Sequence, residues 1–125
     1  VKYTIDCVPI AWARPRINGN RFFDSQKEQK LSYQLVIKNQ HRNHPVYDNP
    51  LHLDAFFYFP IPKAQLKHNK ENTLYVGRSD LDNLVKYILD CCNEVVFRDD
   101  ALVVSMNARK LYSLKPRTEF TLTEI

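Results

Sequence analysis

Ser79-Asp80-Leu81-Asp82-Asn83-Leu84-Val85-Lys86-Tyr87-Ile88-Leu89-Asp90-Cys91-Cys92 spaces its apolar residues Leu81, Leu84, Val85, Ile88, Leu89 and Cys92 three and four positions apart throughout. That period lays them along one face of an α-helix. Asp82, Lys86 and Asp90 recur at four-residue steps on the opposite, polar face. The helix therefore buries one side and offers charge on the other.

Outward from this helix the chain reads as strands. Leu51, Leu53, Ala55, Phe57 and Phe59 alternate with His52, Asp54, Phe56 and Tyr58 after the turn signal Asp48-Asn49-Pro50. Pro60 and Pro62 close that strand and open a loop that runs to Ser79. Downstream, Arg98-Asp99-Asp100 reads as a turn into a β-rich run from Leu102 to Leu111, and Ser113–Pro116 reverses the chain into a last strand, Arg117–Ile125. Near the start, Lys2–Val8 alternates with Tyr3, Ile5 and Cys7 on one face, and Pro9 ends it. Ser25 with Glu28 forms a capping-box pattern, which predicts a helix through Leu31, Leu35 and Val36 to about His41. The order β-α-β-α-β-β predicts an α+β fold, a mixed sheet with helices packed on it.

With 125 residues, the chain has the size of one domain, expected to span 1–125 with one active site. Apolar residues make up 44% and charged ones 26%, which suits a folded chain rather than a disordered one. No apolar run is long enough for a bilayer helix, and no basic patch with an apolar core directs export. The cysteines are Cys7 and the adjacent Cys91 and Cys92, an odd set in which the neighbours would make a strained disulfide. A reduced, cytoplasmic setting is expected. With only Gly19 and Gly77 there is no glycine-rich phosphate loop, so a nucleotide cofactor is not expected, and no membrane partner is indicated.

The net charge of +4 and pI near 9.0 point to an anionic partner. The distribution narrows the choice. Lys63, Lys67, Lys70 and Arg78 lie in the long loop against the single acid Glu71, and Arg14, Arg16 and Arg21 follow Trp12. Loop cations of this kind reach a phosphate backbone.

The acids carry the chemistry. Inside a helix, residues two apart point about 200° away from each other, so Asp80 and Asp82 converge only if the helix starts near Asp82 with Asp80 extended or capping. Asp90 lies about 12 Å of helix rise from Asp82, too far to share a magnesium ion whose ligands sit at roughly 2.0–2.1 Å. One of Asp99 and Asp100 can return to the helix start. Carboxylates gathered within about 4–5 Å repel by roughly 3–4 kcal/mol per pair at an effective dielectric near 20, which a divalent cation offsets. Oxygen-only ligands favour magnesium or manganese over zinc. Each feature also has an ordinary structural reading. Ser79 with Asp82 is a capping box, Lys86 pairs with Asp82 or Asp90 as a surface ion pair, and Arg98-Asp99-Asp100 is a turn.

The ordered set Asp80-Leu81-Asp82-Asn83-Leu84-Val85-Lys86, Asp90, Arg98-Asp99-Asp100-Ala101 and Val103-Val104 resembles the RusA-type Holliday-junction endonucleases. Ala108-Arg109-Lys110, Pro116-Arg117-Thr118-Glu119 and, more loosely, Arg14-Pro15-Arg16 extend the resemblance over most of the chain, with residues 30–70 matching only in plan. The resemblance implies magnesium, with manganese as a substitute, held by Asp80, Asp82 and Asp100. It implies that Lys86 steadies charge at the phosphate, and ranks Asp99 lower as a further ligand. It also implies a homodimer that resolves branched, four-way DNA by paired nicks. DNA contacts are expected from Arg14, Arg16, Lys63, Lys67, Lys70 and Arg78. The alternatives are a non-catalytic DNA-binding module of the same fold, and a structural domain whose basic surface meets an acidic protein.

Three further features have readings of their own. His41 and His44 lack zinc-site neighbours and read as surface histidines at a helix end. Trp12 and Phe22 suit stacking on exposed bases, core packing or a dimer contact. Cys92 continues the apolar stripe and reads as core, as does the Cys91-Cys92 pair it belongs to.

Overall fold

The computed structural model describes residues 1–14, 16–18, 21–23 and 25–125, with the backbone alone for 16–18 and 21–23. In chain order its elements are β1 (Lys2–Ile5), β2 (Arg16–Asn18), β3 (Arg21–Phe23), α1 (Lys27–His41), β4 (Leu51–Pro60), α2 (Leu81–Cys92), β5 (Val103–Ser113) and β6 (Arg117–Glu124). Short 3-10 turns occupy Lys63–His68 and Asp100–Leu102. The predicted α+β architecture is present, with the β2–β3 hairpin as an element that three-residue segments are too short to announce.

The main sheet has the order β1-β6-β4-β5. Strand β4 is central, antiparallel to β6 and parallel to β5. Its alternation does what the sequence requires: Leu51, Leu53, Ala55 and Phe57 are fully buried, while the intervening side chains are half-buried on the other face. A parallel neighbour cannot be reached by a hairpin, so the chain crosses over between Pro60 and Val103 and carries α2 onto the apolar face. There α2 buries Leu84, Val85, Tyr87, Ile88, Cys91 and Cys92. Full burial of a side chain such as Ile88 stabilises the fold by about 1.5–3 kcal/mol. The crossover is what lets α2 and the turn before β5 wall one cavity.

Five local expectations change. Strand β1 stops at Ile5, because the Cys7 amide turns back onto the Ile5 carbonyl (3.0 Å). Cys7 is exposed, with its Sγ 3.0 Å from the Tyr33 hydroxyl. No capping box forms at α1, which is capped at Gln26 without a side-chain bond. Gln26 instead brackets another segment, accepting from the Ala13 amide (3.0 Å) and donating to the Ala11 carbonyl (2.8 Å).

The buried face of α1 is Tyr33, Ile37 and His41, while Leu31 and Leu35 are 53% and 64% exposed. Packing chose the face: Tyr33 meets Tyr87 of α2 edge-on at 5.1 Å. His41 is therefore a buried residue and not a surface one, bonded at Nδ1 to the Tyr3 hydroxyl (2.6 Å) and at Nε2 to the Pro45 carbonyl (3.2 Å).

The loop after β4 is tied down at its far end. The Tyr75 amide donates to Lys110 and the Tyr112 amide to Thr73, so residues 73–75 pair with the distal half of β5. Tyr75 also stacks on Phe59 at 4.2 Å. A Cβ at Gly77 would collide with the Tyr75 ring, which explains glycine at that point. Among the described residues no helix is long and apolar enough to cross a membrane.

Candidate active site

Asp80 is the N-cap of α2, with extended backbone (φ −73°, ψ 134°), and the first intrahelical bond runs from the Leu84 amide to its carbonyl (3.1 Å). The helix thus starts where convergence of Asp80 and Asp82 requires. The cap makes no side-chain hydrogen bond, so the Ser79–Asp82 capping box is not what these residues form. Both acids are exposed at the positive end of the helix dipole, where negative charge is favoured. The chain entering the cap is held by Lys110, whose Nζ donates to the Ser79 carbonyl (2.7 Å).

A cavity of about 690 Å³ opens between α2 and β5. Asp82, Lys86 and Asp100 line it, with Leu81, Val85 and Met106 among its apolar walls. Asp80 is outside the lining. Asp100 opens the turn before β5, and its backbone amide donates to Asn93 Oδ1 (3.0 Å), just past the end of α2. Burial pushes the Asp100 carboxyl up from its ordinary 3.8; the Asp99 side chain adds to the push and a hydrogen bond from Asn93 opposes it. Asp99 moves the other way, held down chiefly by the Ala101 amide that it accepts (3.2 Å).

Among the described residues no three carboxylates, histidines or cysteines stand close enough to form a metal shell. Geometry gives the reason. Asp82 is in the first turn of α2 and Asn93, which holds Asp100, is eleven residues further on, about 16 Å of helix rise. Asp82 and Asp100 thus occupy separated stretches of one cavity wall. The donor chemistry nevertheless fits a hard divalent cation. Magnesium is commonly bound by one or two carboxylates with water and substrate phosphates completing its six positions, and the acids here are all oxygen donors, Asp80 and Asp82 at the start of α2 and Asp100 past its end.

Lys86 makes no ion pair with a carboxylate among the described residues. Its Nζ sits 3.6 Å from the centre of the Trp12 ring. Asp90 lies 4.0 Å from Lys30 instead, so the surface ion-pair reading of Lys86 gives way to a cation–π contact. Sequence reasoning left Trp12 among several roles, because nothing local links it to a residue so far along the chain. The capping role of Asn93 beside Asp100 was likewise missed, although an asparagine after Cys92 at a helix end is the available signal.

Of the basic candidates, Arg14 is exposed two residues from Trp12, while the side chain of Arg16 lies outside the described residues. Lys63 and Lys67 are exposed on the first 3-10 turn, Arg78 is exposed just before the cap, and Lys70 lies 5.5 Å from the Tyr112 ring. Phe22 also lies outside the described side chains.

The family model described as endodeoxyribonuclease RusA matches residues 6–123. The uncharacterized protein YqaN of Bacillus subtilis (strain 168) is 30% identical over 137 aligned positions, which cover 100% of this chain and 96% of YqaN.

Proposed function

Because the chain belongs to the RusA endodeoxyribonuclease family, we propose that it is a magnesium-dependent, structure-specific nuclease that resolves four-way DNA junctions by paired nicks. The observation that carries the reading is the single cavity shared by Asp82, Lys86 and Asp100. A pure DNA-binding surface gains nothing from acids placed beside phosphates.

Asp80 and Asp82 would hold magnesium, or manganese in its place, at the helix start, and Asp100 would hold an ion from the far stretch of the same cavity wall. When bound, such an ion polarises the scissile phosphate and eases deprotonation of the attacking water. Lys86 faces the same cavity and offers a positive charge to the phosphate oxygens as negative charge grows on them. The cavity walls of Leu81, Val85 and Met106 keep the surroundings poor in competing polar groups, which strengthens these interactions. Arg14, Arg16, Lys63, Lys67, Lys70 and Arg78 bind the backbone of the arms. A two-fold homodimer suits paired nicking, since it presents two equivalent sites to two equivalent strands.

The test compares a synthetic four-way junction with linear duplex of the same sequence, in magnesium and in chelator. Symmetric nicks in the junction alone, only with magnesium, support the reading. Junction binding without cleavage at any metal concentration would replace it with the binding-module alternative.

A further inference from the structure

Trp12 is the protein's single tryptophan, and its position is over-determined. Its amide donates to the Asn83 carbonyl (2.9 Å), in the first turn of α2. On either side, the buried Gln26 side chain grips Ala11 and Ala13 at 2.8 and 3.0 Å. The indole is half-buried against the core and presents its face to the Lys86 ammonium at 3.6 Å.

The competing partners of Lys86 are Asp82 and Asp90, each four residues away on the same helix face. An exposed ion pair at that spacing is worth about 0.3–0.5 kcal/mol, whereas a cation on an indole face is worth about 0.5–1 kcal/mol at exposed sites and more when desolvated. The ring therefore wins, and the lysine leaves both acids unpaired by it. The ring attracts the cation through its face without using a hydrogen-bond acceptor, so the ammonium hydrogens on the far side stay available to a phosphate.

We infer that Trp12 is a positioning residue for the nuclease reaction: it holds the Lys86 ammonium at the cavity and away from the carboxylates, keeping cation and acids separate until DNA arrives. This rests on the role given to Lys86 above.

The experiment is a double-mutant cycle on junction cleavage with Trp12→Leu, Trp12→Phe, Lys86→Met and the Trp12→Leu/Lys86→Met pair, read with tryptophan emission of the metal-free proteins. Trp12→Leu is expected to lower kcat roughly tenfold with little change in KM, and Trp12→Phe, which keeps a ring and guards against misfolding, to retain most activity. On the Lys86→Met background Trp12→Leu should cost nothing further. Lys86→Met should shift the emission of Trp12, and Lys115→Met, on the surface turn after β5, should not. Equal losses from Trp12→Leu with and without Lys86, or an emission spectrum indifferent to Lys86→Met, would overturn the inference alone. Full activity of Lys86→Met would instead remove the proposed role of Lys86, and the positioning role with it.

Discussion

The side-chain oxygen of Asn93 accepts the backbone amide of Asp100 at 3.0 Å, and so ties the end of α2 to the turn that precedes β5. A second hydrogen bond from Asn93 draws the Asp100 carboxyl down against the upward push of burial and of Asp99. One side chain thus helps to place the acid at the far end of the cavity and counters part of the push on its carboxyl.

Asn93→Ala should therefore act through Asp100. Loss of an orienting partner behind a metal ligand typically costs 10–100-fold in metal affinity. The midpoint of cleavage against magnesium concentration is expected to rise by roughly tenfold, with cleavage regained at high metal. An unchanged midpoint would mean that Asp100 does not bind the ion.

The basic loop predicts a salt signature. Each lysine that neutralises a phosphate adds about one unit to the slope of log K against log salt. Replacing Lys63 and Lys67 together by alanine is expected to lower the slope by roughly two units, measured by junction binding in chelator across a salt series. Lys2→Ala, on β1 at the opposite edge of the sheet from β5, should leave it unchanged.

His41 predicts a loss of stability in acid. Burial lowers its pKa below the ordinary 6.5, with the His44 charge acting the same way and the Pro45 carbonyl opposing. The folded protein then holds its proton less tightly than the unfolded chain. This contribution is complete above the unfolded value and drains away as pH falls from about 6.5 toward the lower folded pKa. Urea midpoints taken between pH 7.5 and pH 5 should fall in the wild type. They should fall less in His41→Leu, which itself loses about 1–3 kcal/mol by orphaning Tyr3 and Pro45.

The core has a simpler test. Phe57 is fully buried at the middle of β4, and Phe57→Ala is expected to cost about 3–5 kcal/mol in urea unfolding. A loss below 1 kcal/mol would mean that β4 is not the centre of the sheet.

Much of this was legible because two segments carry an unambiguous period. The strict alternation of Leu51–Phe59 and the three-and-four spacing of Leu81–Cys92 leave one way to bury each, and the helix start that brings Asp80 into extended conformation followed from its spacing to Asp82. The helix α1 was legible in extent but not in face. Leu31 and Leu35 look like its core residues, yet Tyr33, Ile37 and His41 fill that place, because Tyr87 and Tyr3 come from elements whose approach no local pattern records. The contacts of Lys86 with Trp12, and of Asp100 with Asn93, were hidden for the same reason. Local spacing offered Lys86 the acids four residues away, and tertiary packing supplied an aromatic ring from the other end of the chain.

The acids at the start of α2 carry the central claim, and Asp82→Asn tests it most directly. The substitution removes a charge from an exposed position where the helix dipole is worth about 0.3–1 kcal/mol, so the metal-free protein should stay folded and unfold within a few degrees of the wild type. The decisive measurement is the rate of four-way junction cleavage in magnesium by Asp82→Asn, taken at a protein concentration where it binds the junction as fully as the wild type. The account predicts a loss of about a hundred- to a thousandfold with binding intact, a deficit of the size seen when a single essential stabilising group is removed from an active site. Cleavage within a few-fold of the wild type would contradict it and place the chemistry away from this cavity.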